Sequence, residues 1–282
     1  MLKLAAFADE ISPNLDDQIR VCKNNGVTHF ELRSVAGRNV LDFDKTLRND
    51  VKRKLADNNM GVISIGSPIG KVKIDEPWQT HFDRFKLAVE TAEFFQAPLL
   101  RLFSYYAPEG GDIHQHRDEI IRRFQHKVDY LAHHPGVTMI HENERHIYGE
   151  RGAACLDLMK TINSPRLRMA FDFANFVQAG QRPLECWPEL KPYTAHIHIK
   201  DAKWGSGKVV PAGKGDGEIE PILKDAWTSG GADGRGYRGL LSMEPHLAAH
   251  EQFGGFSGEQ LFNVAVEALR EMCERLKIPL AR

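Results

Sequence analysis

The feature that most constrains this chain is a rhythm. Short apolar, strand-like runs alternate with amphipathic helical stretches along all 282 residues. The runs are Leu2 to Phe7, Thr28 to Leu32, Val62 to Ile65, Leu99 to Phe103, Val137 to His141, Leu167 to Phe171, Ala195 to Ile199 and Leu240 to Met243. Gly26, Pro98, Pro135-Gly136, Pro165 and Gly239 punctuate them from the preceding segments. Between runs, a 3.6-residue apolar stripe predicts helices at Leu15 to Asn24, Phe82 to Phe95, Ile120 to His133 and Glu259 to Leu276. The last carries Leu261, Val264, Ala265, Ala268, Leu269 and Met272 as its apolar face. Eight units share 282 residues, about 35 each, which is the length of one βα unit. The expected fold is therefore α/β, a single (β/α)8 TIM barrel. An open doubly wound sheet would need a Gly-rich turn after the first strand, and Ala8-Asp9-Glu10 stands there instead. No linker or low-complexity stretch divides the chain, so one domain is expected over residues 1–282.

Charge narrows the partners. Lys plus Arg number 37 against 38 Asp plus Glu, a net charge of −1, so no nucleic acid is attracted by bulk charge. No apolar run reaches about 18 residues, and MLKLAAFADEIS is too brief for a signal-peptide core. No membrane partner is expected. Cys22, Cys155, Cys186 and Cys273 are scattered with no CxxC pair, which fits a reduced, cytoplasmic protein.

Chemistry concentrates at strand C-termini, where a barrel builds its sites. The fifth run ends in HENE (141–144), the sixth in FDFAN (171–175), the seventh in HIHIKD (196–201) and the eighth in MEP (243–245). Four successive parallel strands would bring Glu142, Asp172, His198 and Glu244 to one mouth. Crowded like charges repel unless a cation or protons neutralise them. One divalent ion does so, and an oxygen-rich set with one His suits Mn²⁺, Mg²⁺ or Co²⁺ better than Zn²⁺. Each carboxylate alone is more often a helix cap or a surface ion pair, and it is the set of four in successive strands that points to a metal. Glu144 has the same parity as Glu142 and rivals it.

These ordered strand ends, with ADEIS (8–12), FELRS (30–34) and GSPIGK (66–71), resemble the xylose isomerase-like barrel superfamily of sugar (phosphate) isomerases and epimerases. The resemblance extends over most of the chain. It implies a divalent metal held by Glu142, Asp172, His198 and Glu244, with Glu142 and Glu244 moving the proton in the ketose 3-epimerase branch. That branch carries a His where Asn175 stands and an Arg where Trp204 stands. The superfamily also contains hydroxypyruvate isomerases and dehydratases of inososes and 3-dehydroshikimate. It implies, too, a homo-oligomer, a dimer or a tetramer.

The expected activity is a metal-dependent isomerisation or epimerisation of a small carbohydrate-like hydroxy-carbonyl substrate. A Glu abstracts the α-proton, and the metal stabilises the resulting enediolate. Loss of a β-hydroxyl from the same species gives the dehydratase alternative. An endonuclease IV-like hydrolase is disfavoured because the third and fourth strand ends, Ile65-Gly66-Ser67 and Leu102-Phe103-Ser104, supply no His.

Asn175, Lys200, His246 and Arg33 are the candidate substrate contacts. For Arg33, an ion pair with Glu31 or another barrel acid is the simpler expectation, and for Lys200 a solvated pair with Asp201 is an equal alternative. His196 reads as a packed core histidine, and Lys71 and Lys73 as loop lysines. The glycine-rich stretch Ala212 to Gly217 either cradles an anion on its N–H groups or is a plain turn. Trp204, Phe103, Tyr105 and Tyr106 either cover substrate or simply pack.

Overall fold

Each apolar run forms a strand, and each strand pairs in parallel with the next. The computed structural model describes residues 1–230, 234–248 and 257–281. The strands are β1 (Lys3–Ala6), β2 (Val27–Leu32), β3 (Gly61–Ile65), β4 (Leu99–Leu102), β5 (Thr138–Glu142), β6 (Leu167–Asp172), β7 (Thr194–Ile199) and β8 (Leu240–Met243). They close into one barrel in sequence order, with β1 sealed against β8 from Lys3↔Leu240 to Ala6↔Met243. This is a single (β/α)8 barrel, as its rhythm predicts.

Helices surround it: α1 (Leu15–Asn24), α2 (Lys45–Asp57), α3 (Trp78–Phe95), α4 (Arg117–Leu131), α5 (Gly152–Ile162), α6 (Phe173–Gln178), α7 (Pro183–Leu190), α8 (Ile219–Ser229) and α9 (Gly258–Leu276). No helix among the described residues is long and apolar enough to cross a membrane. The start of α1 is fixed by Asn14, whose Oδ1 accepts from Asp16 N at 2.8 Å and Asp17 N at 3.4 Å. The stripe of α3 is buried as expected, through Phe85, Ala88, Val89, Ala92 and Phe95. That of α9 is rotated. Phe262, Ala265, Val266, Leu269, Met272 and Cys273 face the barrel, while Leu261 and Val264 are exposed. α2 escaped the periodicity because it buries only Val51 and Leu55 within a highly charged segment.

Two glycine positions shape the mouth. At Gly70 (φ +91°) a Cβ would lie 2.0 Å from Phe103 O, so the loop after β3 can run against the end of β4 only with glycine there. The glycine-rich loop after β7 is not an anion site for a ligand. Its N–H groups are already engaged by a side chain of the same protein: Asp201 Oδ2 accepts from Gly213 N and Gly215 N at 2.9 Å each, and Oδ1 from Gly217 N at 2.8 Å. A Cβ at Gly215 would sit 2.2 Å from Asp201 Oδ1. The loop is a nest filled by an internal carboxylate, and it anchors the hairpin Asp201–Ala202/Val209–Val210 over the barrel.

Outside the barrel wall, Lys127 of α4 is fully buried. Its Nζ donates to Tyr105 Oη at 2.7 Å among the rings of Tyr105, Phe85 and Phe124. Burial, aided by Arg123, holds its pKa well below the usual lysine range. The unfolded chain therefore binds a proton that the folded chain releases, and stability rises with pH between the folded and ordinary lysine values. Lys127→Met is expected to raise the melting temperature by about 2–4 °C at pH 7 and by less at pH 10. An equal or larger gain at pH 10 in thermal denaturation would contradict a neutral buried lysine.

Candidate metal centre at the barrel mouth

Glu142 ends β5, Asp172 ends β6, His198 is next to last in β7, and Glu244 follows β8. Strand alternation aims Glu142 inward. Its neighbour His141 points out, bonding Ser104 Oγ at 2.9 Å and meeting Phe124 edge-on. The four ligand atoms lie within 4.8 Å of one another, and all four side chains are buried. His198 Nδ1 is 3.2 Å from Glu142 Oε1, 3.5 Å from Glu244 Oε2 and 3.9 Å from Asp172 Oδ2.

The supporting contacts orient this set. Asp172 Oδ1 caps α6 by accepting from Asn175 N at 2.7 Å, so the capping role and a ligand role fall on different oxygens. Its Oδ2 is buried and accepts no well-aligned hydrogen bond. Behind the imidazole, His198 Nε2 faces Glu31 Oε2 at 3.2 Å, and the same oxygen meets His196 Nε2 at 2.8 Å. A carboxylate on the far nitrogen fixes the ring and leaves Nδ1 to the cluster. Asn143 ties β5 to β6, donating to Asp172 O at 2.9 Å and accepting from Asp172 N at 3.0 Å.

Three cations press on the same carboxylates. Lys200 Nζ lies 2.9 Å from Asp172 Oδ2 and 3.2 Å from Glu244 Oε2. Arg101 Nη1 lies 3.0 Å from Glu142 Oε2, and Arg33 Nη1 is 3.2 Å from Glu244 Oε1. The two guanidiniums flank the Phe7 ring at 4.6 and 4.7 Å. Burial pushes the Glu142 carboxyl up, but His198 and Arg101 outweigh it and leave the pKa at about 2. Burial likewise opposes ionisation of Glu244, and Lys200 and His246 hold it well below the carboxylate range. For Asp172 burial wins, with Glu142 and Glu244 adding to it against Lys200, and the pKa rises to about 6. Burial disfavours charge on His198, yet Glu31 and Glu142 raise it well above the usual imidazole value. Two ionised glutamates, one reluctant aspartate and a proton-attracting imidazole form a donor set suited to a divalent cation, because the metal can take the place of the imidazole proton.

A cavity of about 1270 Å³ opens above the cluster. Arg33, Asn175, Lys200 and His246, the four candidate substrate contacts, all line it. Asn175 Nδ2 also donates to Glu142 Oε1 at 3.1 Å. His246 sits between Glu10 Oε1 (3.2 Å) and Glu244 Oε1 (3.4 Å); burial lowers its pKa, but Glu10 lifts it to about 9. Glu144 stays outside the cluster, paired with Lys71 at 2.7 Å. Lys71 lines the cavity, whereas Lys73 reaches toward Glu109. Among the described residues no Phe, Tyr or Trp lines the cavity. Trp204 stacks with Arg182, Phe103 lies beneath Lys71, and Tyr105 faces α4. Arg33 pairs with Asp9 (2.8 Å) and Glu244 rather than with Glu31, and Lys200 with Asp172 and Glu244 rather than with Asp201. The sequence reading missed Asp9, Glu10 and Glu31 as site residues. The strand-end logic applied to β1 and β2 would have found them.

A family model described as "Xylose isomerase-like TIM barrel" matches residues 19–272. A 3-dehydroshikimate dehydratase of Bacillus anthracis is 19 % identical over 187 residues, covering 66 % of this chain and 65 % of that protein; the match thus spans just under two thirds of the relative's length. A D-tagatose 3-epimerase-like protein of known structure superposes with a TM-score of 0.75 at 14 % identity, over 98 % of both chains. A xylose isomerase-like TIM barrel protein from Mycobacterium smegmatis, solved in complex with magnesium, gives 0.69 at 16 % identity over 98 % of this chain and 96 % of that one. The closed eight-stranded barrel and a family match over most of its length agree, and the chain belongs to the xylose isomerase-like TIM barrel family.

Proposed function

We propose that this protein is a divalent-metal-dependent enzyme that moves a proton at the carbon next to a carbonyl in a small hydroxy-carbonyl compound, giving isomerisation or epimerisation. The observation that carries this reading is the buried cluster of Glu142, Asp172, His198 and Glu244. Those four residues would hold Mn²⁺, Mg²⁺ or Co²⁺, the hard ions that carboxylate-rich sites favour; the magnesium in the Mycobacterium smegmatis relative supports the same class. A bound divalent ion supplies Lewis-acid stabilisation of the charge that gathers on the substrate oxygens.

The rest of the chemistry belongs to the chain. Glu142 and Glu244 are both ionised, so either can accept the α-proton as general base. Return of the proton to the neighbouring carbon by the glutamate that took it isomerises the substrate; inversion of the stereocentre requires the opposite glutamate first to take up a proton from solvent and then to deliver it to the other face, while the first glutamate gives its own proton back to solvent. Lys200 and Arg33 line the cavity with their donors on Asp172, Glu244 and Asp9, and turned toward substrate oxygens they would hold negative charge as it develops. Asn175 bonds Glu142 and fixes the direction from which that carboxylate approaches.

Dehydration is the second reading. It follows from the same proton abstraction when a β-hydroxyl leaves, and the similarity to a 3-dehydroshikimate dehydratase favours it. Asn175, standing where the 3-epimerase branch carries a His, favours it too.

Incubation with ketoses, hydroxypyruvate, inosose and 3-dehydroshikimate in deuterated water with Mn²⁺ tests the reading. Deuterium uptake at carbon without loss of water indicates an isomerase or epimerase, and a new enone or aromatic chromophore indicates a dehydratase. With whichever substrate responds, Glu142→Gln and Glu244→Gln are each expected to cut turnover by about 10²–10⁴-fold with the fold intact by circular dichroism. Near-normal turnover in either variant would refute its role. Removal of metal with EDTA is expected to abolish turnover and added Mn²⁺ to restore it; full activity in EDTA would rule out metal dependence.

A further inference from the structure

We propose that α6 reads the hydroxyl groups of the substrate. Asn175 Oδ1 and Gln178 Oε1 are two fixed acceptors on one wall of the cavity, and they select a polyhydroxylated compound. This rests on the proposed function and names the substrate class of that site and the residues that choose it.

The deciding point is which end of each amide is free. An amide side chain has a donor end and an acceptor end of nearly the same shape, and its partners settle which way it points. Asn175 Nδ2 donates to Asn143 O at 2.9 Å and to Glu142 Oε1 at 3.1 Å. Gln178 Nε2 donates to Gly207 O at 2.8 Å. Asn143 O and Gly207 O are backbone carbonyls, which only accept, so a flipped amide would set oxygen against oxygen at both positions. The donor ends are therefore spent on the protein, and the carbonyl oxygens are left. Among the described residues neither oxygen has a hydrogen-bond donor, and neither is enclosed as Asp172 Oδ2 is.

Both residues line the cavity. They stand one turn apart on α6, a spacing that sets side chains next to each other. Their anchors are fixed as well. Asn143 is locked to the backbone of Asp172, and the Asp201 nest holds the base of the hairpin that carries Gly207. The acceptors are thus preorganised. The row starts at Asn175, which is bonded to Glu142, and ends at Gln178 beside the hairpin. It rewards hydroxyls carried beyond the reacting carbons. A hydroxyl donates to such an oxygen, whereas a carboxylate or phosphate oxygen meets it lone pair to lone pair.

Calorimetric titration into the Mn²⁺-loaded full chain tests the idea. Dihydroxyacetone, which has a carbonyl and adjacent hydroxyls but no distal ones, is the reference; the D-ketohexoses and an inosose are the probes. At least one probe is expected to bind about tenfold or more tightly than dihydroxyacetone. Two substitutions then separate recognition from anchoring of the hairpin. Gln178→Lys keeps a donor for Gly207 O but offers no acceptor, and the gain is expected to fall below about threefold. Gln178→Glu keeps an acceptor but loses the bond to Gly207 O, and the gain is expected to persist. The proposal is overturned if no probe binds more tightly than dihydroxyacetone, if the gain survives Gln178→Lys, or if both variants lose it alike, which would leave Gln178 an anchor only. Binding is read without turnover, so a failed deuterium-exchange assay beside a retained hydroxyl gain counts against the enzymatic reading alone.

Discussion

Ligand atoms of three carboxylates and an imidazole lie within 4.8 Å of one another, in side chains sealed from solvent. Two like charges about 4 Å apart repel by roughly 4 kcal/mol at the effective dielectric of a protein, and burial adds a desolvation cost for each. The fold accommodates the set because Arg101, Lys200 and Arg33 each lie within about 3 Å of one of these acids. Everything else at the mouth follows from that balance. It keeps Glu142 and Glu244 ionised, while burial and those two glutamates raise Asp172 above the usual carboxylate range against Lys200. It also means that a metal ion must share its ligands with ammonium and guanidinium groups already in place.

The barrel holds this arrangement by distributing it over many elements. β5, β6 and β7 and the end of β8 each deliver one member of the cluster, so no single element carries the whole set. Asn143 locks the ends of β5 and β6 together, and Asp172 serves at once as the cap of α6 and as a cluster member. Below, Glu31 couples β2 to β7 through His196 and His198. These are the fixed contacts from which a preorganised site is built. The same tight packing leaves the mobile chemistry to the few side chains that face the cavity.

The barrel could be read from the chain because its signal is local and repeated. Each apolar run fell within a residue or two of a strand, and turn residues marked the boundaries. The cluster of Glu142, Asp172, His198 and Glu244 was readable for a related reason: parallel strands put their C-terminal residues on one face whatever the helices do. What the sequence hid is non-local. Arg33 and Arg101 stand 68 positions apart in the numbering, yet share one phenylalanine ring. The Gly213–Gly217 loop resembles an anion cradle, and only the fold reveals that Asp201 fills it. The face of α9 was misread because Leu261 and Val264 complete an apolar stripe by spacing, whereas packing selects Phe262 and Val266.

The central claim is that these four side chains grip one divalent cation. Anomalous diffraction from a crystal soaked in Mn²⁺ measures this directly. The account predicts a single strong peak in contact with Glu142, Asp172, His198 and Glu244. A peak elsewhere, or none while the carboxylates remain paired only with Lys200, Arg101 and Arg33, would contradict it.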